Sequence, residues 1–518
     1  MKHIPVLIAG GGPVGMTLAR TLALHGVRCL LVERHETTTQ HPKMDITNGR
    51  SMELFRRIGV ADRLRSVAVP EANNFDVSWV TSLAREAGGR ELHRFRYPSV
   101  TEKRSLILAC NDGTQPREPA MRVSQVMIEP VLRDAILDHP LVDARWGVAF
   151  EDFEQDEAGV TVTLRTMETG ATEQVRCDYL AGCDGGTSRV RARLGIALEG
   201  RAAVAQRYMI HFRSEARELL QAFGSAWHYQ RDTGTLIAQD DKDTWTLQTR
   251  PPPGLDAADM DPNAMLDAWA GRAFARKILV ANPWSTHLLV AERYGSGRVF
   301  LAGDAAHQYI PTGGYGMNTG IGDAIDLGWK LAAAIKGFAS RRLLASYESE
   351  RRPVGLRNRL ASERHTGVRL KIAELYQSER DPDELGRAIA ALGNAENESW
   401  GIEFGYRYDG VEGDPLKYEP TTAPGARLPS VFLDDGSALY DYLGPWFTLL
   451  RFGDADPSPL IDSAPAPLKI VDIAEPRLAP IYGMKLVLVR PDTHVAWRGD
   501  ACDDGGAVWA KVRNGKLA

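Results

Sequence analysis

The apolar run Ile4 to Ala9 breaks into Gly10-Gly11-Gly12-Pro13-Val14-Gly15, and a helix-forming stretch follows from about Val14 to His25. This strand–turn–helix order narrows the fold more than any other feature of the chain. Gly10 permits a tight exit from the strand, Gly12 lets the backbone approach a pyrophosphate, and Gly15 lets helix and strand pack closely. A diphosphate would sit at the positive end of the helix, a gain of ~0.3–1 kcal/mol. Gly26-Val27-Arg28 closes that helix, and Cys29-Leu30-Leu31-Val32 reads as a second strand. Glu33 ends it, 18 residues after Gly15, where an acid would bind ribose hydroxyls. The turn alone does not separate one dinucleotide from another.

A second glycine-rich turn lies far downstream. Arg298-Val299-Phe300-Leu301-Ala302-Gly303-Asp304 is a short buried strand ending in Gly-Asp. A carboxylate there is placed to accept hydrogen bonds from sugar hydroxyls. Pro311-Thr312-Gly313-Gly314-Tyr315-Gly316-Met317-Asn318 then leads into a helix with apolar period at Ile321, Ala324, Ile325, Leu327 and Leu331. Free amides at such a helix start stabilise negative charge. A reduced flavin carries that charge at the N1–O2 edge of its ring and NAD does not. Two turns gripping one long cofactor at both ends point to FAD.

At 518 residues the chain is too long for one core, and two or three domains are expected. A composition of 44% hydrophobic and 25% charged residues excludes global disorder, and a net charge of −5 gives no reason to expect nucleic acid or an acidic membrane as partner. No apolar stretch approaches the ~20 residues of a membrane helix. The first strand starts within a few residues of Met1, leaving no room for a signal peptide. The five cysteines have no CxxC or metal spacing, so no metal is expected, and they suit reduced thiols in a cytoplasm.

Dinucleotide-type segments at 1–70, 120–200 and 286–395 are interrupted by segments of another texture at 71–119 and 201–285. The interrupting segments are polar, aromatic and extended, as in Asn73-Asn74-Phe75-Asp76-Val77-Ser78-Trp79. A domain inserted in two pieces would bring both together over the cofactor as a β-sheet substrate domain. Short strands between Gly, Pro and Asp turns from about Thr421 to the end make a third, separately packed α/β or α+β unit, 421–518. The expected class is therefore α/β: a Rossmann-like FAD-binding domain, an inserted β-sheet domain and a small C-terminal domain.

Three ordered motifs carry a family resemblance: Gly10–Gly15, Cys183-Asp184-Gly185-Gly186-Thr187-Ser188-Arg189, and Gly303-Asp304 followed by Pro311 and Asn318. Together they resemble the fingerprints of the single-component, class A flavoprotein aromatic hydroxylases typified by para-hydroxybenzoate hydroxylase and phenol hydroxylase. The match covers about 1–395. The tail is similar to the thioredoxin-like C-terminal domain of the phenol hydroxylase branch, without a redox CxxC. The resemblance implies FAD as cofactor and NADPH or NADH as a transient co-substrate. It also implies O2 and a small aromatic substrate as partners, and a homodimer or higher homo-oligomer. Gly10, Gly12, Gly15, Glu33 and Arg34 would hold the ADP half, with Arg122 and Gln125 near the ribityl or phosphate region. Asp184 would serve both FAD and NAD(P)H, Asp304 the ribityl hydroxyls, and Pro311, Gly314, Gly316, Met317 and Asn318 the flavin ring. Where the family commonly has Pro-Arg-Ala, this chain reads Pro42-Lys43-Met44. Lys43 keeps the charge for a pyrophosphate but loses the bidentate fork.

Hydroxylation through a flavin C4a-hydroperoxide, the chemistry the resemblance implies, is electrophilic attack on a ring. Removing a phenol proton raises the ring's electron density, and a positioned base contributes typically ~10²–10⁴-fold. Asp45 is similar in position to the aspartate that phenol hydroxylases place near the substrate hydroxyl, and is the expected catalytic base. The partner Tyr and Arg of those enzymes are not evident, so simple phenol is not the expected substrate. His211, Arg213, Trp227, His228, Tyr229, Gln239 and Trp245 lie on strands of the insert, where alternation sends about half toward the flavin. These and Tyr315 are the candidate pocket residues, with His211, His228 and Tyr229 as the alternative bases.

Overall fold

Three sheets organise the computed structural model, which describes residues 2–251, 254, 259–378 and 380–517. In the first sheet Val299–Leu301, Thr172–Gly182, Lys2–Ala9, Cys29–Glu33 and Val142–Trp146 lie side by side in that order, each neighbouring pair parallel. Parallel strands covered on both faces need near-continuous apolar runs, and Val6, Leu7, Ile8, Ala9, Leu30 and Leu31 are fully buried. The helices Pro13–Leu24 and Tyr315–Ile335 pack together on one face. Their contact depends on missing side chains, since a Cβ on Gly320 would stand 2.6 Å from Val14 Cγ2.

The second sheet has eight strands in the order His307–Gln308, Lys277–Ala291, Leu198–Arg213, Thr244–Thr249, Gly234–Ala238, His228–Arg231, Val77–Val80 and Glu91–Phe95. His228–Arg231 pairs in parallel with Val77–Val80, so two segments remote in sequence share one sheet. One face packs a core of Ile210, Phe212, Tyr229, Leu236, Trp245 and Trp269. The other face looks toward the first domain.

The third sheet orders Leu468–Ile473, Phe447–Phe452, Leu486–Val489 and Val495–Gly499, the first pair parallel and the rest antiparallel. With helices Ser458–Asp462 and Gly505–Val512 it is the thioredoxin-like arrangement. Its cysteine, Cys502, is buried and unpaired.

The tail has an apolar core of its own, with Leu428, Val431, Leu450, Val487 and Val489, and it is also joined to the first domain. Trp446, Phe447, Leu488 and Trp509 belong to the same apolar core as the first sheet. Charged groups also cross the junction. Arg490 reaches Glu350 at 2.7 and 2.9 Å, Asp326 at 3.0 Å and Asp492 at 2.7 Å, while Lys330 holds Asp326 at 2.8 Å and Glu350 at 2.7 Å. Arg427 grips Glu53 with both arms of its fork, and Arg50 donates to Thr493 Oγ1 and to the Asp492 carbonyl. All these side chains are buried, and each carboxylate is stable there only because its cation is present.

Candidate active site

The first turn is built as its glycines require. Gly10 has φ of +113°, and a Cβ there would lie 2.2 Å from the Cys183 carbonyl oxygen. A Cβ on Gly15 would lie 2.0 Å from the Gly10 carbonyl oxygen. Around Gly12, by contrast, no heavy atom of the described residues beyond its two chain neighbours stands within 4 Å of the Cβ position, which leaves the backbone open to a ligand. Glu33 ends its strand facing this turn, where its Oε2 accepts the Gly11 amide at 2.8 Å. Arg34 is exposed beside it.

A groove of about 340 Å³ runs from this turn to the second one. It is lined by Gly12, Lys43, Met44, Gln125, Asp304, Gly316 and Met317, among others. The helix Tyr315–Ile335 begins at its far end with no side-chain cap on its first amides, and Gly314 precedes it at φ of +66°. Asn318 ties that helix start to the neighbouring loop. Its Nδ2 donates to the Gly314 and Ile46 carbonyls at 2.7 and 3.2 Å, and its Oδ1 accepts the Asn48 amide at 3.1 Å. Two helix N-termini, one bare glycine and an exposed carboxylate on Asp304 line a single groove. That donor and acceptor set fits FAD: amides for the diphosphate and the ring's anionic edge, and a carboxylate for the ribityl hydroxyls.

Two chambers flank the groove. The first, about 470 Å³, is walled by Phe75, Tyr97, Trp227, Tyr315, Trp400 and Phe404, with Lys103 and Glu403 at its side. The second, about 580 Å³, lies under the eight-stranded sheet and is lined by Trp79, Arg207, Gln239, Gln248, Arg250 and Trp284, among others. Asp45 and Pro311 line the groove and both chambers, and His228 and Arg369 line both chambers.

Asp45 is held by its neighbours at one oxygen. Trp227 Nε1 donates to Oδ2 at 2.8 Å, and His228 Nε2 lies 3.2 Å from the same atom. A carboxylate has no proton to give, so His228 Nε2 is the donor. Among the described residues Oδ1 has no protein donor. Burial acts to raise the Asp45 pKa, but the His228 contact, the Trp227 hydrogen bond and the nearby Arg122 guanidinium outweigh it and hold the carboxyl below its ordinary value. Burial keeps the His228 imidazole below its own ordinary value, against the pull of Asp45. The pair is therefore a carboxylate and a neutral imidazole at neutral pH.

Several expected site residues lie elsewhere. Arg213 is exposed at the strand end, its side chain 61% accessible and 4.0 Å from Asp243, outside all three cavities. Tyr229 faces the sheet core, where its hydroxyl donates to the Gly224 carbonyl at 2.6 Å. Alternation sends its neighbour His228 the other way. Trp245 is in the same core. His211 is buried against the Trp245 carbonyl and Thr246 hydroxyl, both 3.0 Å from Nδ1, and lines neither the groove nor the two chambers. Arg122 is buried with its guanidinium donating to the Asn74 and Ala238 carbonyls at 2.8 and 2.9 Å, so it braces the insert rather than touching the groove. Asp184 is occupied by its own loop: it accepts from Ser188 Oγ at 2.5 Å and from the Arg189 and Val190 amides at 2.7 and 3.1 Å, leaving only the backbone of Gly185 and Gly186 at the groove.

Other wall residues carried no signal in the sequence. Glu396, Ser399, Trp400 and Glu403 close the first chamber from a stretch that the sequence reading assigns to no domain. Arg369 reaches in from the helix Arg341–Tyr376, clamped by Glu396 at 2.6 and 2.8 Å. Tyr315 places its hydroxyl 2.9 Å from His365 Nε2 at the chamber floor.

The architecture agrees with the chain's relatives. A family model described as "FAD binding domain" matches residues 3–359, and one described as "Aromatic-ring hydroxylase, C-terminal" matches 421–513. The chain is 37% identical to an FAD-dependent monooxygenase of Emericella nidulans, over 96% of this chain and 87% of that protein. It is 32% identical to aklavinone 12-hydroxylase of Streptomyces peucetius, over 84% and 88%. Among solved structures it resembles the flavin-dependent monooxygenase PieE in complex with FAD and substrate, with a TM-score of 0.89, 30% identity and 99% of each chain covered. Aklavinone-11 hydroxylase with FAD and aklavinone superposes with a TM-score of 0.81 at 27% identity. No helix among the described residues is long and apolar enough to cross a membrane. The chain belongs to the FAD-dependent aromatic-ring hydroxylases, the class A flavoprotein monooxygenases.

Proposed function

We propose that this monooxygenase hydroxylates a phenol-bearing aromatic compound larger than one ring, with NAD(P)H as reductant and O2 as oxidant. The observation that carries the reading is Asp45, an ionised carboxylate with one oxygen anchored by two donors and the other free, at the point where groove and chambers meet. FAD, when bound in the groove, supplies oxygen chemistry that no side chain can.

The chain's own residues have three tasks. Phe75, Trp227, Trp400 and Phe404 bind the ring and exclude water from it. Trp227 and His228 fix the Asp45 carboxylate so that Oδ1 can accept a hydrogen bond from the ring hydroxyl. Asp45 then takes that proton as the ring is attacked. Reference phenol and carboxyl pKa values differ by about 6 units, roughly 8 kcal/mol, and Asp45 lies lower than the reference. Asp45 therefore polarises the O–H bond in the ground state and receives the proton only when attack makes the hydroxyl acidic.

A chamber of about 470 Å³ falls within the ~300–1,000 Å³ of pockets that enclose drug-sized ligands, and a single ring would leave it largely unfilled. Relatives named as polyketide, aklavinone and tetracenomycin oxygenases support a larger substrate. The test is a panel of one-, two- and three-ring phenols, scored by NAD(P)H consumption and by incorporation of label from 18O2. Efficient coupling on the larger members is expected. Coupled turnover confined to one-ring phenols would overturn the substrate class.

A further inference from the structure

The second chamber carries an unusual charge arrangement. Leu198–Arg213 and Thr244–Thr249 pair antiparallel, with Met209 opposite Gln248 and Tyr208 opposite Thr249. Continuing that register by one residue sets Arg250 opposite Arg207. Arg207, Met209, Gln248 and Arg250 all line the chamber, so the two guanidinium groups share one face. Like charges directly opposite on neighbouring strands destabilise a sheet. Among the described residues neither arginine makes an ion pair, Arg207 reaching only its neighbour's carbonyl on Gln206, whereas Arg369 of the same wall is paired with Glu396. Burial, then Arg250 and Arg369, pushes the Arg207 pKa down to about 10, as expected for a cation lacking a counter-charge.

We propose that Arg207 and Arg250 form an anion subsite that takes a phosphate of the reduced nicotinamide dinucleotide. The proposal rests on the monooxygenase reading, because that reaction needs a reductant to approach the flavin. The second chamber suits that approach. It shares Lys43, Met44, Asp45, Asp304 and Pro311 with the groove, yet it lies across Asp45 and His228 from the aromatic first chamber. Trp284 on its wall offers a face for a nicotinamide or adenine to stack on. Paired guanidinium forks suit phosphate better than any other common group, and binding an anion would remove the repulsion between them.

The test is calorimetric titration of the FAD-loaded protein with NADP+ and with NAD+, comparing wild type with Arg207→Gln, Arg250→Gln and Arg250→Glu. Each Gln variant should weaken binding of the preferred dinucleotide about ten-fold and raise its KM in parallel. Arg250→Glu should abolish binding yet melt no lower than wild type, because it pairs across the strands with Arg207. That result would separate ligand loss from damage to the fold. Dinucleotide affinities within about two-fold of wild type in all three variants would overturn the proposal. So would a loss confined to 3-hydroxy-2-naphthoate relative to its methyl ester, which would assign the arginines to a substrate carboxylate. The titration involves no turnover, so failure to hydroxylate any phenol would count against the monooxygenase substrate and not against this subsite.

Discussion

His228 Nε2 donates to Asp45 Oδ2 across 3.2 Å, and the same oxygen accepts Trp227 Nε1 at 2.8 Å. Both the imidazole and the carboxyl titrate below their ordinary values. For a group whose pKa is depressed on folding, the stabilisation is complete above the unfolded value and is lost as pH falls through the folded one. The two groups therefore act in the same direction. Coupling of product to NAD(P)H should stay level from pH 8 down to about 6.5, the ordinary histidine value, and decline only at lower pH. His228→Gln should shift that acid limb. A limb centred above pH 7 in the wild type would show that another group controls it.

Asp304 lines the groove and the second chamber from an exposed position after the strand Val299–Leu301. Asp304→Ala removes the acceptor proposed for the ribityl hydroxyls and should cost most of the bound FAD. The absorbance ratio of flavin to protein after purification reads this directly. Wild-type occupancy and affinity would remove Asp304 from the cofactor site.

Arg490 is the shared counter-ion of Asp326, Glu350 and Asp492. Arg490→Met would leave three buried carboxylates with Lys330 as the principal remaining cation. Breaking one partner out of a buried pair costs typically ~3–5 kcal/mol, so the variant should unfold at markedly lower denaturant concentration. For the same reason a chain ending near residue 420 should aggregate. A soluble, FAD-binding 1–420 fragment would show that the first domain does not depend on these contacts.

The first domain was readable because strand alternation, glycine geometry and helix starts are local signals. Gly10, Gly12 and Gly15 each meet the constraint their spacing implies. Legibility fell where placement depends on side-chain direction or on distant packing. A one-residue step decides whether Tyr229 or His228 meets Asp45, and a strand of only four residues does not fix that phase. Asp184 shows another limit, because a carboxylate next to a Gly-Gly turn can serve a ligand or its own loop equally well. The ion pairs joining Glu53 to Arg427 and Glu350 to Arg490 link residues far apart in sequence. Nothing local announces them, so the sequence shows the tail's own strands but not how they are joined to the first domain.

Glu403 lines the first chamber without a cation among the described residues to hold its charge as Arg369 holds that of Glu396. Burial, with a contribution from Glu53, pushes its pKa up to about 7 against the backbone hydrogen bonds from Arg50 and Gly49. A raised carboxyl pKa means that stability is greatest below the unfolded value near 4.5 and is lost as pH rises toward 7. Glu403→Gln should therefore be neutral at pH 4.5 and stabilising by ~1–3 kcal/mol at pH 8. Equal denaturation midpoints for variant and wild type at pH 8 would show that Glu403 is not charged there.

Asp45→Asn is the sharpest probe of the chemistry. Asparagine keeps an oxygen for Trp227 Nε1 and His228 Nε2, so the loop and the FAD groove should survive. It lacks the negative charge that polarises a ring hydroxyl. FAD content and substrate-free flavin reduction should match wild type, while hydroxylation slows by ~10²-fold or more. A ring that is not activated in time lets reduced oxygen escape, so the H2O2 released per NAD(P)H consumed should rise as product falls. Measuring product, H2O2 and NAD(P)H together on the best phenol separates this outcome from simple loss of binding, which would raise KM without uncoupling. Unchanged coupling and an unchanged oxygen-transfer rate would make Asp45 a structural acceptor for Trp227 and His228. The proton would then have to leave through His228, whose buried Nδ1 has no partner among the described residues, and His228→Gln would become the uncoupled variant.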